Sequence, residues 1–155
     1  MKKISRPLRI SHQINPYFCG PAVIVTVLAA YGIRTTQRKA AQLADTNKTV
    51  GTSTKGLVSA LGHFGLLVKA AHGRGLRDIR RALQRGEHVV VCYTEPHTSS
   101  GHYAIVVGFG GDTIQLLDPD ARGNVPVSFP LGEFEVRWKD EVFTHSKRWA
   151  AFITQ

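Results

Sequence analysis

Four residue types in this chain could together break an acyl bond. Cys19 lies in QINPYFCGPA (13–22), directly before the apolar run VIVTVLAAYG. A thiol at the start of a helix meets the positive end of the backbone dipole, which favours thiolate, the nucleophilic form. Gln13, just upstream, carries a side-chain amide that could donate to a developing oxyanion. A cysteine nucleophile also needs a base, and the base needs an orienter. His102 opens the apolar stretch HYAIVVGFG, and Asp118 ends TIQLLDP. If those stretches form a hairpin around the GGD turn, residues 102 and 118 fall near one another at its open end. A carboxylate there could hold an imidazole in one tautomer. Asp120 is a rival to Asp118, but it lies beyond the strand.

The elements that must position these groups are legible in the periodicity. Residues 22–31 are apolar except Thr26, as expected of a central helix, with Pro21 in its first turn and Gly32 as its C-cap. Helices are expected from about Thr36 to Ala44, and from Ser53 or Thr54 to Leu61. LLVKAA (66–71) reads as a strand and GLRDIRRALQRG (75–86) as an amphipathic surface helix. HVVVCYT, HYAIVVGFG, TIQLLDP and RWAAFIT read as strands, PVSFPL as a further strand or sheet edge, and LGEFEVRW as a helical turn. Helices first and sheet second imply an α+β fold rather than alternating βαβ units.

Composition sets the outer bounds. At 155 residues and 43% hydrophobic, the chain suits a single globular domain over 1–155. The longest apolar run is too short to span a bilayer, and the basic N-terminus has no secretory h-region. Two cysteines make no disulfide framework, so the expected compartment is reducing and cytoplasmic. Twenty Lys and Arg against eleven Asp and Glu give a net charge of +9. They are spread along the chain, from Lys2, Lys3, Arg6 and Arg9 to Lys147 and Arg148. No aromatic-interleaved strand or recognition helix accompanies them, so dedicated nucleic-acid binding is not expected. Cys92 reads as a core cysteine. Cys92, His97 and His102 fit no zinc spacing and lack a fourth ligand, so no metal or other cofactor is expected. The GRG at 73–75 and GFGG at 108–111 lack the strand–loop–helix context of a phosphate site.

Several motifs together resemble a known family. Gln13 with Cys19-Gly-Pro-Ala and a helix ending Tyr31-Gly32, then His102-Tyr103-Ala104-Ile105, then Leu117-Asp118-Pro119, are similar to the papain-like peptidases that process bacteriocin leaders after a double glycine. The 51–70 segment and Phe134 with Trp138 add to the likeness, which covers about residues 11–154. The resemblance implies a papain-like fold, a helical half packed on an antiparallel sheet. It implies Cys19 as nucleophile, His102 as general base and acid, and Asp118 as its orienter. Gln13 and the Cys19 backbone N–H would form the oxyanion hole. The implied reaction is peptide cleavage through a thioester, on a peptide or protein substrate. The family's domains commonly belong to ABC exporters. The 155 residues hold no membrane or nucleotide-binding domain, so an exporter would act in trans. Lys139-Asp140 also stand where the family usually has a glycine, a difference assigned to a surface turn. The same frame suits a deamidase, a transglutaminase-like enzyme, a transpeptidase or a non-enzymatic peptide-binding module.

Overall fold

A computed structural model describes residues 7–120 and 125–155; Lys2, Lys3 and Arg6 lie outside them. The chain begins with three helices, α1 (Cys19–Ala30), α2 (Gln37–Leu43) and α3 (Thr54–His63). Val23, Ile24, Val27 and Leu28 of α1 are wholly buried. Each such side chain contributes about 1.5–3 kcal/mol relative to exposure. The helix stops at Tyr31 because Gly32 takes φ +76°, and its N–H bonds Ala29 O while Ile33 N–H bonds Leu28 O. Few residues other than glycine adopt that conformation readily.

The helices pack on a sheet whose strands are β1 (Leu67–Ala71), β2 (His88–Thr94), β3 (Gly101–Gly110), β4 (Thr113–Leu117), β5 (Val127–Pro130) and, at the C-terminus, a last strand (Ala150–Thr154). With a two-stranded ribbon of Lys139–Asp140 (β6) and Ser146–Lys147 (β7) intervening, that last strand is β8. The sheet order is β1-β8-β2-β3-β4-β5, with every pairing antiparallel. Two further helices, α4 (Leu76–Gln84) and α5 (Leu131–Arg137), follow β1 and β5.

The near-continuous apolar character of β2 and β3 reflects burial on both faces. Val90, Cys92, Tyr103 and Ile105 face the core formed with α1–α3. Val89, Val91, Tyr93, Ala104 and Val106 face a second core with Ile79 of α4 and Phe134 of α5. The architecture is therefore the expected α+β arrangement, with a difference: helices cover both faces of the sheet. The hairpin also carries a register shift between Val106 and Gly108. The last paired residues are Ile105 and Leu117, so Asp118 lies just beyond β4 and approaches His102 diagonally rather than from directly across.

Candidate active site

The open end of the β2–β3–β4 sheet meets the N-terminus of α1. Cys19 is the first residue of that helix, and Phe18 at its N-cap makes no side-chain capping bond. The first-turn backbone N–H groups are thus not consumed by a capping side chain. Pro21 has no N–H to lose, and Ala22 N–H already bonds Phe18 O at 2.9 Å.

His102, the second residue of β3, is 8% exposed, and its Nε2 lies 2.5 Å from Asp118 Oδ1. The other carboxylate oxygen, Oδ2, accepts from the Tyr93 hydroxyl at 2.7 Å. The Asp120 backbone N–H donates to Oδ1 at 2.8 Å. Asp118 is thereby fixed on three sides, and the carboxylate of exposed Asp120 is not the one on the imidazole. With Nε2 engaged, Nδ1 is the ring nitrogen left free of Asp118, and Cys19 lines the same cavity as His102. Burial pushes His102 toward the neutral form, but the hydrogen bonds to Asp118 and Cys19 outweigh it and hold the imidazolium up to about 10. Asp118 is the counterpart. Burial raises it, while His102, the Asp120 amide and Tyr93 bring it below the usual aspartate value. Tyr93 is pushed up, first by burial and then by Asp118, and stays a phenol donor.

Gln13 belongs to a segment strapped down by backbone and amide bonds. Its own N–H donates to Pro119 O at 3.0 Å. Ile14 N–H donates to Gln37 Oε1 at 3.0 Å, and Gln37 Nε2 donates to His12 O at 2.6 Å and Ser11 Oγ at 2.9 Å. Ser11 N–H donates to Thr26 Oγ1 at 2.9 Å, which explains the one polar residue in the buried helix. Gln13 Nε2 donates to Asn15 O at 3.0 Å. Its Oε1 is buried without a hydrogen-bond partner among the described residues, and Gln13 and His102 both line a second hollow.

The structure thus pairs His102 with Asp118, lines one cavity with Cys19 and His102, and puts Gln13 with His102 in the lining of a second hollow. Cys92 is 1% exposed and its thiol, destabilised as thiolate chiefly by burial, is held up at about 12. His97 lies in the exposed 95–100 loop, where its N–H donates to Glu95.

One expectation is corrected. Asp140 is not on a surface turn: it is 2% exposed. Its carboxylate accepts from the N–H groups of Val142, Phe143 and Thr144 and from the Thr144 hydroxyl. It also packs on the Gly101 backbone, where any β-carbon would overlap it. A conformationally ordinary glycine beside His102 is therefore a packing requirement. Gly20, next to Cys19, stands in the same relation to Thr52. Tyr93, Gln37, Asp140 and Thr52 were missed in the sequence. Only Tyr93 left a signal there, as the residue after Cys92 on a strand that must pair with β3; it pairs with His102.

The geometry has counterparts among known proteins. A model of the Peptidase C39-like family matches residues 6–145. An uncharacterized protein of Methanothermobacter thermautotrophicus is 31% identical over 115 residues, covering 74% of this chain and 73% of its own. The peptidase domain of Streptococcus ComA, a bifunctional ABC transporter involved in quorum sensing, superposes with a TM-score of 0.74 at 21% identity, covering 96% of this chain and 98% of the domain. A double glycine motif protease from an AMS/PCAT transporter, solved with its leader peptide, gives 0.68 at 18% identity over 97% and 94%. These structures establish the papain-like frame. With the family model spanning most of its length, the chain belongs to the Peptidase C39-like family.

Proposed function

We propose that the protein is a cysteine peptidase using Cys19, His102, Asp118 and Gln13. The observation that carries this reading is buried His102, hydrogen-bonded to the Asp118 carboxylate and lining one cavity with Cys19. In the proposed cycle the Cys19 thiolate attacks the scissile carbonyl carbon. The oxyanion is received by the Cys19 backbone N–H and the free N–H of the Gln13 amide. The C–N bond breaks as the imidazolium gives its proton to the departing amine. The thioester left on Cys19 is cleaved by a water that neutral His102 deprotonates, which restores thiolate and imidazolium. Asp118 keeps the imidazole in the tautomer and orientation both halves require. Tyr93 and the Asp120 amide keep Asp118 from turning.

The substrate is a peptide or protein segment. Among the fold relatives are a double glycine motif protease solved with its leader peptide and peptidase domains of ABC transporters, so a leader with a double glycine is the first substrate to try, with an exporter as the matching partner. A cytoplasmic site of action fits that role; among the described residues no helix is long and apolar enough to cross a membrane. The test is cleavage of double-glycine peptides, followed by mass spectrometry, with iodoacetamide labelling near pH 6 in parallel. Cleavage that disappears in Cys19→Ala and His102→Ala, with Cys19 labelling faster than a free thiol, is expected. Ammonia release from a glutamine substrate without peptide cleavage would overturn the peptidase assignment.

A further inference from the structure

The GRG at 73–75 does stand between a strand and a helix, β1 and α4, but its backbone is no phosphate cradle. Gly73 N–H donates to Lys147 O at 3.0 Å, Arg74 N–H to Arg148 O at 2.9 Å and Gly75 N–H to Asp78 Oδ2 at 2.7 Å. What the loop supplies is a side chain. Arg74 is half-buried, and its Nε donates to His72 O at 3.3 Å. It lines a hollow of about 290 Å³ whose other walls come from α4, β1 and β8. That volume is at the lower end of small-ligand pockets. β1 is the edge of the sheet, and no residue of this hollow lines either cavity beside His102.

Positive charge is concentrated there. Lys69, Arg74, Arg81 and Arg85 line the hollow against one acid, Asp78. Asp78, Arg81 and Arg85 recur at helical spacing and share one face of α4. Arg81 and Arg85 stand one turn apart, where like charges are unfavourable. Asp78 already accepts from the Gly75 N–H, and Arg85 pairs with Glu87. Among the described residues no carboxylate pairs with Lys69, Arg74 or Arg81. By contrast Arg137 and Arg148 meet Glu133 and Glu135. Phe152, directly across from Lys69 on β8, gives the hollow an apolar wall. Such a wall excludes water and strengthens charge-assisted bonds beside it.

We infer that this hollow binds a compact phosphorylated small molecule. With Arg85 matched by Glu87, the three remaining cations exceed Asp78 by two charges. A phosphate monoester carries about two negative charges and three acceptor oxygens, and guanidinium groups donate to such oxygens in pairs. A single carboxylate would leave one cation unmatched. The cations converge on one hollow instead of following a groove, so a nucleic acid strand would find a single seat and no track. The site stands apart from the proposed peptidase chemistry and does not depend on it.

The probes are inorganic phosphate, pyrophosphate and ADP, titrated into the full chain by calorimetry at about 0.15 M salt, where distant exposed charges are screened. Saturable one-site binding of at least one probe is expected. Arg81→Gln and Lys69→Gln, both at exposed side chains, are each expected to weaken it about tenfold or more, the scale of a lost charged hydrogen bond. Arg38→Gln on α2 removes the same charge elsewhere and is expected to leave binding unchanged. ADP bound more tightly than pyrophosphate, with the difference lost in Phe152→Leu, would assign a nucleotide; equal binding would assign the phosphate groups alone. Circular dichroism establishes that each variant is folded. The site is overturned if no probe binds at millimolar concentration, or if Arg38→Gln weakens binding as much as Arg81→Gln. It is equally overturned if only an acidic peptide or a DNA duplex binds through Lys69 and Arg81.

Discussion

Replacing Asp118 by asparagine would remove the charge on which the proposed active site depends while keeping its shape. Asp118 Oδ1 lies 2.5 Å from His102 Nε2, and both side chains are about nine-tenths buried. An opposite charge at such range moves a pKa by about 1–3 units. With His102 held at about 10 in the native protein, Asp118→Asn should bring it down by that amount. Each unit is about 1.4 kcal/mol of preference for the imidazolium over the neutral ring. A His102 titrating at about 7–9 is still at least about half imidazolium at pH 7, so Cys19 alkylation by iodoacetamide there should slow by no more than about twofold, while the alkaline limb of kcat/KM should move from about 10 to about 7–9. Mass spectrometry of alkylated peptides across pH gives the first readout, and Cys92 serves as an internal control because its buried thiol is held up at about 12. Circular dichroism establishes that the variant is folded. A folded Asp118→Asn protein with wild-type Cys19 reactivity and an unmoved alkaline limb would refute the assignment of Asp118. If Asp120→Asn produced the shift instead, the orienter would be the wrong aspartate.

Three further outcomes are expected. Gln13→Ala should lower kcat by about 10²–10³ with KM little changed, as for loss of one oxyanion donor, measured by steady-state peptide cleavage. Tyr93→Phe strands the buried Asp118 Oδ2 without its hydroxyl donor and should lower stability by about 1–3 kcal/mol in urea titrations. The same titrations across pH should show two opposite dependences. His102 is raised, so its contribution is complete below 6.5 and is lost as pH rises through about 10; Asp118 is lowered, so its contribution is present above 3.8 and is lost as pH falls through its depressed value. His102→Gln should remove the alkaline dependence.

The parts legible in the sequence were those written in local periodicity. The α1 run with Cys19 at its start, the β3–β4 hairpin and the Gly32 stop each depend on a few neighbouring residues. The diagonal contact of His102 with Asp118 depends instead on the shift between Val106 and Gly108, which no alternation of apolar residues announces. Asp140 looked like turn punctuation because its partners are the backbone amides of the next few residues, invisible as side-chain types. Gln37 sits in a short polar helix and reveals itself only when the 11–14 segment folds across it. Residues whose partners are backbone atoms far along the chain leave no spacing to read.

The backbone bond from Gln13 N–H to Pro119 O joins two ends of the site that are remote in sequence. During synthesis the thiol emerges long before the hairpin that brings its base. The 11–14 strap can find its Pro119 anchor only after that hairpin is made. A nascent or partly opened chain would therefore carry Cys19 without an imidazole and Gln13 without a fixed position. Release of the strap would disarm the proposed enzyme and loosen Leu8 and Ile10, which pack partly buried against the core, while the fully buried core from Val23 onward stays packed on the sheet. Catalytic competence is then the last property the fold acquires and the first it gives up.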